Sequence, residues 1–308
     1  MRKILPFLLA ATLVSSCIDN AYDLSNVNTD DITIGDEESE FRLPLATVYV
    51  GMGELNEGGI DIKALFDEAD IWLPSPLPDG AAYVNLKAIQ DDPSEITPLL
   101  DALIDQMKAD DAKINAVADL LAEKYLATFL PMLPPNTDPK DFKRVFIEVF
   151  RNIPQLHEQL SAEIKNLAGS YLTDLKVQDV TYDVGKIDIG NDVVDMLCEG
   201  LDSEGTPNPK NTLHIYGDIT SALPVSMRLT PYFSPTDVSF DVLVEPGKTN
   251  GIEGTRLYED DLRQIIEGAE IILPVSLEKY YPGYGFTPDQ QIVITLRLLK
   301  RGGLKLNL

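Results

Sequence analysis

Few residues in this chain belong to the types that usually carry catalysis or bind metals. The 308 residues include two cysteines and two histidines, and the local patterns predict His157 on a helix and His214 in a strand. The two histidines do not form a metal-ligand motif with each other or with a cysteine. The G-x-S-x-G, HExxH and Walker A motifs are absent, and GMGELNEG at residues 51–58 lacks the third glycine of a dinucleotide loop. We therefore predict a non-catalytic protein with no cofactor and no metal site.

The 50 acidic residues leave one catalytic alternative open. A glycoside hydrolase needs only two carboxylates about 5–10 Å apart, and many pairs in so acidic a chain meet that distance by chance. Asp183, Asp188 and Asp192 offer oxygen ligands for calcium, but their spacing does not fit an EF-hand. Nothing in the sequence indicates that one pair of carboxylates is buried, so we interpret the acidic residues as solvated surface residues. A carboxylate-dependent glycoside hydrolase remains a less favoured alternative.

Aromatic residues are concentrated in KYYPGYGFTPDQ, residues 279–290, between two predicted strands. Exposed aromatic side chains on a loop can stack on sugars or anchor a protein partner. The same side chains can instead fold back and cap the end of a sandwich. We predict a ligand-contact loop formed by Tyr280, Tyr281, Tyr284 and Phe286, with a glycan or a protein as its partner.

Cys17 is the other chemically distinctive residue, and it stands at the end of an N-terminal apolar run. Two basic residues precede the apolar residues 4–14, and two serines come directly before the cysteine. This is the layout of a secretory signal peptide. The run is shorter than the roughly 20 residues that span a bilayer, so we predict that residues 1–16 are a signal peptide that is removed.

The tetrapeptide Val14-Ser15-Ser16-Cys17 resembles the lipobox of bacterial lipoproteins. In that class the chain is cut before the cysteine, the thiol is diacylated and the new amino group is acylated. The resemblance implies that Cys17 carries fatty acyl chains such as palmitate. Two or more such chains make a stable membrane anchor.

The residues behind Cys17 resemble those of uncharacterised lipoproteins from Bacteroides-type bacteria, in which a YDLS-like stretch follows the lipidated cysteine. Here that stretch is Tyr22-Asp23-Leu24-Ser25, and residues 17–40 are polar and acidic, which predicts a flexible tether. In that group, acids close behind the cysteine resemble a signal for export to the outer face, but here Ile18 intervenes. The resemblance implies a cell-envelope location at the outer membrane, with the periplasmic or surface face left open.

The charge balance excludes one class of partner. The formal net charge is −25 at pH 7, whereas nucleic-acid binding needs a basic face and adhesion to anionic lipid needs basic clusters. We therefore expect contact with a membrane only through the lipid anchor, and no nucleic acid. With Cys17 acylated, Cys198 has no disulfide partner in the chain, and its apolar helical stripe predicts a buried residue.

Hydrophobic periodicity divides the rest of the chain into three parts. Residues 41–91 read as β-rich, and residues 92–175 carry a helical period with start signals at Thr97-Pro98, Asp138-Pro139 and Pro154. Residues 176–308 alternate as strands do, with one short helix at 260–269 and a terminal hairpin across KRGG.

We therefore predict an α+β fold with an antiparallel β-sandwich-like body and an inserted helical cluster. Residues 41–91 and 176–308 form the sandwich in this prediction. The function that the sequence favours is a lipid-anchored cell-envelope protein that binds or scaffolds a partner. A fimbria-like structural subunit is an alternative, and the apolar stripes of the helical cluster leave open a groove for a lipid or peptide.

Overall fold

The computed structural model describes residues 32–56 and 61–306. These residues form ten α-helices and thirteen strands. The helices are α1 Met52–Leu55, α2 Ile62–Trp72, α3 Leu86–Asp91, α4 Thr97–Ala109, α5 Asp111–Lys124, α6 Leu126–Phe129, α7 Phe142–Asn152, α8 Pro154–Thr173, α9 Asn191–Cys198 and α10 Glu259–Gly268. The strands are β1 Ile32–Ile34, β2 Glu40–Gly51, β3 Val84–Asn85, β4 Val180–Asp183, β5 Thr212–Ser221, β6 Val225–Leu229, β7 Tyr232–Ser234, β8 Val242–Val244, β9 Thr249–Leu257, β10 Glu270–Leu273, β11 Val275–Tyr280, β12 Gln291–Arg301 and β13 Leu304–Leu306.

In the described residues the strands form four antiparallel sheets. Two sheets have four strands, in the orders β2-β12-β5-β9 and β3-β11-β6-β8. A three-stranded sheet has the order β4-β10-β7, and β1 pairs with β13. Together with the helical cluster, these sheets confirm the predicted α+β fold.

The sheet that contains β12 and β5 shows why alternation of apolar and polar residues is a reliable signal of a strand. Along both strands every second residue is buried, because successive side chains point to opposite faces of a sheet. Gly217 of β5 lies opposite Leu296 of β12. A Cβ at position 217 would overlap the carbonyl oxygen of Thr295, so only glycine allows the two backbones to approach this closely.

The helical cluster follows the start signals in the sequence. α4 begins at Thr97 and α8 at Pro154, and a short 3-10 turn at residues 139–141 precedes α7. In α7 the rings of Phe142, Phe146 and Phe150 are stacked in series with centroids 5.8 Å apart. None of the described helices has both the length and the apolar character to cross a membrane.

The prediction of a β-rich segment at residues 41–91 is wrong beyond residue 51. This region holds the helices α2 and α3, and its second strand, β3, has only two residues. The side chains of Asp61 and Asn85 cap these helices by accepting hydrogen bonds from backbone N–H groups at 3.1 Å. Phe66, Ala69 and Trp72 of α2 are buried, so the helical region begins near residue 62 rather than at 92.

The two ends of the described chain also differ from the prediction. The tether was expected to reach residue 40, but β1 pairs with β13 and β2 begins at Glu40; the rest of the tether, with Cys17, lies outside the described residues. The prediction of a terminal hairpin is wrong as well. The chain turns away from β12 at Gly302, which has φ of 86°, and β13 then pairs with β1. A chain-distant partner therefore replaced the adjacent strand.

Candidate ligand-binding site

The structure divides the four predicted ligand-contact residues into two pairs. Tyr280 and Phe286 are buried, with 1% and 2% of their surface exposed. Tyr281 is partly buried, and Tyr284 is 75% exposed. The prediction that all four side chains contact a ligand is therefore wrong for Tyr280 and Phe286, which belong to the core.

The two buried residues fasten the loop to α2. Both rings pack on Phe66 with centroids 4.7 Å away, and the Phe286 ring is stacked on it at an interplanar angle of 23°. The Tyr280 hydroxyl donates a hydrogen bond to Oδ1 of Asp70 at 2.7 Å. Burial, followed by this bond to Asp70, raises the pKa of Tyr280 well above its usual range. The base of the loop is thus held by both apolar and polar contacts.

The tip of the loop is shaped by backbone hydrogen bonds and glycines. The Tyr281 N–H donates to the carbonyl of Pro224 at 3.1 Å. The Thr287 N–H donates to Oε1 of Gln290 at 3.0 Å. Gly283 and Gly285 have φ of 82° and 64°, values that glycine adopts without steric cost. They flank Tyr284 and allow the chain to turn sharply, which leaves its ring in solvent.

A cavity of about 370 Å³ lies beside the two accessible tyrosines. Its size falls within the range of about 300–1,000 Å³ that is typical of small-molecule sites. Apolar groups and a few polar ones line it together. The lining residues are Ala222, Leu223, Pro224, Glu245, Pro246, Lys248, Tyr281, Tyr284 and Gln290.

The aromatic surface continues past the cavity to Tyr83. The Tyr83 and Tyr281 ring centroids are 5.6 Å apart, and Nζ of Lys279 lies 4.7 Å from the Tyr83 centroid. Tyr83 was not predicted from the sequence, because the residues next to it give no binding signal. It joins the site because β3 pairs with β11, with Val84 opposite Tyr280.

The charged groups at the cavity are coupled to one another. Nζ of Lys248 lies 2.7 Å from a carboxylate oxygen of Glu245. Hydrogen bonding to Lys248 and the positive charges of Lys248 and Lys279 lower the pKa of Glu245. The hydrogen bond to Glu245 raises the pKa of Lys248, so both members of this pair carry their charges at neutral pH.

Within the described part of the chain, the two histidines and Cys198 lie elsewhere and are not brought together. His157 lies in α8, with Nδ1 2.8 Å from the Phe150 carbonyl oxygen and Nε2 3.3 Å from Oγ of Ser161. His214 lies in β5, and burial lowers its pKa. Cys198 is buried at the end of α9, and burial, together with the nearby Glu259 carboxylate, raises the pKa of its thiol to about 11. This thiol is protonated at neutral pH and unsuited to nucleophilic attack.

The three aspartates that could offer oxygen ligands to calcium are exposed. Asp183, Asp188 and Asp192 all lie at the surface. Across residues 32–56 and 61–306, no group of three or more His, Cys, Asp or Glu side chains is placed to hold a metal ion.

Comparison with known proteins gives little further information. No protein-family model matches the chain, and no curated protein matches it. Among solved structures it is similar to a crystal structure of a "putative secreted protein" from Parabacteroides distasonis ATCC 8503, with 19% sequence identity and a TM-score of 0.30. The likeness covers 41% of this chain and 38% of that chain, and a likeness this weak carries no argument about function.

Proposed function

We propose that this protein is a lipid-anchored binding module of the cell envelope, and that the cavity beside Tyr281 and Tyr284 takes a saccharide. The observation that carries this proposal is the combination of two accessible tyrosine rings with a cavity of about 370 Å³ on a firmly held loop. Because Tyr280 and Phe286 hold the base of the loop, less of the chain has to be ordered when the ligand binds, which reduces the entropic cost of binding.

The groups at the cavity match the chemistry of a sugar. A sugar ring has apolar C–H faces and a rim of hydroxyl groups, so it needs flat apolar surfaces and hydrogen-bonding partners side by side. The tyrosine rings supply the surfaces. Glu245 accepts hydrogen bonds, Lys248 donates them, and the Gln290 amide can do both.

A protein partner is the alternative occupant. Stable protein interfaces bury about 800 Å² on each side, and they are anchored by aromatic residues in much the same way. A concave site with a few polar groups is more typical of small ligands, which favours the saccharide.

The test is binding of the full-length, detergent-solubilised protein to a glycan array, followed by titration of the best ligands. We expect Tyr281→Ala with Tyr284→Ala to weaken saccharide binding by about tenfold or more, since buried aromatic contacts are often worth more than about 1 kcal/mol. Tyr49→Ala is the matched control, because Tyr49 is also exposed but lies on β2. Absence of any tyrosine-dependent saccharide would overturn the proposal, and tyrosine-dependent capture of a protein would favour the alternative.

The anchor is supported by the sequence of residues 1–17 and is tested separately. Cells are labelled with a fatty-acid analogue, and the protein is isolated. We expect wild type and Cys198→Ala to be labelled and Cys17→Ala to be unlabelled. Equal labelling of the two cysteine variants would exclude Cys17 as the site of acylation.

A further inference from the structure

We propose that the saccharide is acidic, and that Lys279 recognises its carboxylate or sulfate group while Lys248 adds positive charge at the cavity. This inference rests on the proposed function and adds the chemical class of the ligand. It is carried by the position of Lys279 at the end of the aromatic surface and by the local balance of charge.

The ammonium group of Lys279 is placed to bind an anionic group of a ligand. This ammonium group lies 4.7 Å from the centroid of the Tyr83 ring. Among the described residues no carboxylate lies close enough to form a salt bridge with it. The two nearby carboxylates have other partners: Glu245 pairs with Lys248, and Glu278 pairs with Arg228 at 3.4 Å. A cation–π contact at a partly exposed position contributes about 0.5–1 kcal/mol, and the Lys279 ammonium group has only a longer-range attraction to Glu245 rather than a salt bridge.

The local charge is opposite to that of the whole chain. The protein carries 50 acidic and 25 basic residues, so most of its surface repels anions. At the cavity and its rim, the two ammonium groups of Lys248 and Lys279 face the single carboxylate of Glu245. A positive site on an otherwise acidic surface selects for anionic ligands by electrostatic complementarity.

The arrangement also indicates more than one sugar ring. Tyr284 and Tyr281 border the cavity, and Tyr83 continues the aromatic surface 5.6 Å beyond Tyr281. Lys279 lies at the Tyr83 end of this series. One ring can therefore occupy the cavity while the acidic group of an adjoining ring contacts Lys279 outside it.

The experiment compares acidic oligosaccharides with chemically matched neutral ones. Full-length protein in detergent is titrated with oligouronates of two to four sugars, with the same oligosaccharides after carboxyl reduction, and with sulfated neutral oligosaccharides. We expect at least one acidic series to bind about tenfold or more tightly than the neutral series, and this preference to shrink as salt is added. Comparison of the uronate and sulfate series distinguishes the two acidic groups.

Three lysine variants separate recognition of the acid from general binding. We expect Lys279→Met to remove most of the preference for the acidic ligand without changing affinity for the reduced one, and Lys279→Arg to keep it. Lys140→Met removes the same charge from an exposed position in the helical cluster and should change neither affinity.

Two other outcomes have distinct meanings. Equal binding of acidic and neutral saccharides, lost in the Tyr281 and Tyr284 variants, would overturn this inference and leave the proposed function standing. No tyrosine-dependent binding to any member of the panel would overturn this inference, whereas the proposed function is overturned only if the glycan array also shows no tyrosine-dependent saccharide.

Discussion

The Tyr280 hydroxyl donates a hydrogen bond to Oδ1 of Asp70 at 2.7 Å, and this bond joins the last residue of β11 to α2. Tyr280 is also the first of the four aromatic residues of the aromatic loop, and Tyr281 follows it directly. The geometry of this loop therefore depends on a helix that lies about two hundred residues earlier in the chain. The position of Tyr281 and Tyr284 thus depends on the contact between α2 and β11. This contact and two other features of the packing, at Gly217 and at Lys300, can be tested by substitution.

Replacing Tyr280 by Phe tests this connection. The variant keeps the ring on Phe66 but loses the hydrogen bond to Asp70. We expect the free energy of unfolding to fall by about 1–2 kcal/mol, because hydrogen bonds to charged groups are worth more than neutral ones. Urea denaturation measures it, and Tyr284→Phe serves as a control that should change stability by less than about 0.5 kcal/mol. Equal stability of both variants would show that the bond contributes nothing.

Replacing Gly217 by Ala tests the close approach of β5 and β12. The new methyl group would overlap the Thr295 carbonyl, and a backbone atom in the middle of a sheet cannot move aside easily. We expect a loss of about 3 kcal/mol or more, at the upper end of overpacking effects. Gly251→Ala on the neighbouring β9 has no atom within 4 Å of the added group, so it should stay within about 1 kcal/mol of wild type in the same urea titration. Similar losses in both variants would contradict the packing argument.

Lys300 gives the protein a pH-dependent contribution to stability. Its side chain is fully buried, and Nζ donates hydrogen bonds to Asn211 Oδ1 and to the carbonyls of Arg301 and Gly303, at 3.0 and 3.4 Å for the carbonyls. Burial lowers its pKa to about 8 from the ordinary value of 10.5. Between these two values the unfolded chain binds more protons than the folded one, so this residue makes stability rise with pH over that interval.

The measurement is the difference in unfolding free energy between wild type and Lys300→Met at several pH values. We expect the difference to shift in favour of wild type by on the order of 3 kcal/mol between pH 7 and 11. The same difference for Lys140→Met should stay constant, because Lys140 is exposed. A constant difference for Lys300→Met as well would mean that the buried ammonium group does not titrate differently on folding.

Local sequence was sufficient to predict an element wherever its hydrophobic pattern fitted only one type of secondary structure. The alternation in β5 and β12, the start signals at Thr97 and Pro154, and the apolar stripe that buries Cys198 all predicted the observed elements. In each of these cases the side chains that one element must bury are spaced by that element's own period. The same signals predicted the α+β class.

Local sequence was insufficient wherever the outcome depended on which distant surface was available. α2 was missed because its apolar stripe is short and follows a glycine-rich stretch, and the strand after Gly302 pairs with β1 rather than with its neighbour β12. Both results depend on contacts with segments far away in the sequence, which local patterns do not encode.

The aromatic loop shows most directly what the sequence determines and what only the tertiary structure determines. Its sequence determined that four aromatic side chains would be close together, but it did not determine which of them would face solvent. The tertiary structure decided that Tyr280 and Phe286 pack on Phe66 while Tyr281 and Tyr284 border the cavity, and it added Tyr83 through the pairing of β3 with β11. The physical reason is that a side chain's exposure depends on the surfaces that pack against it, and here those surfaces come from α2 and β3, far away in the sequence.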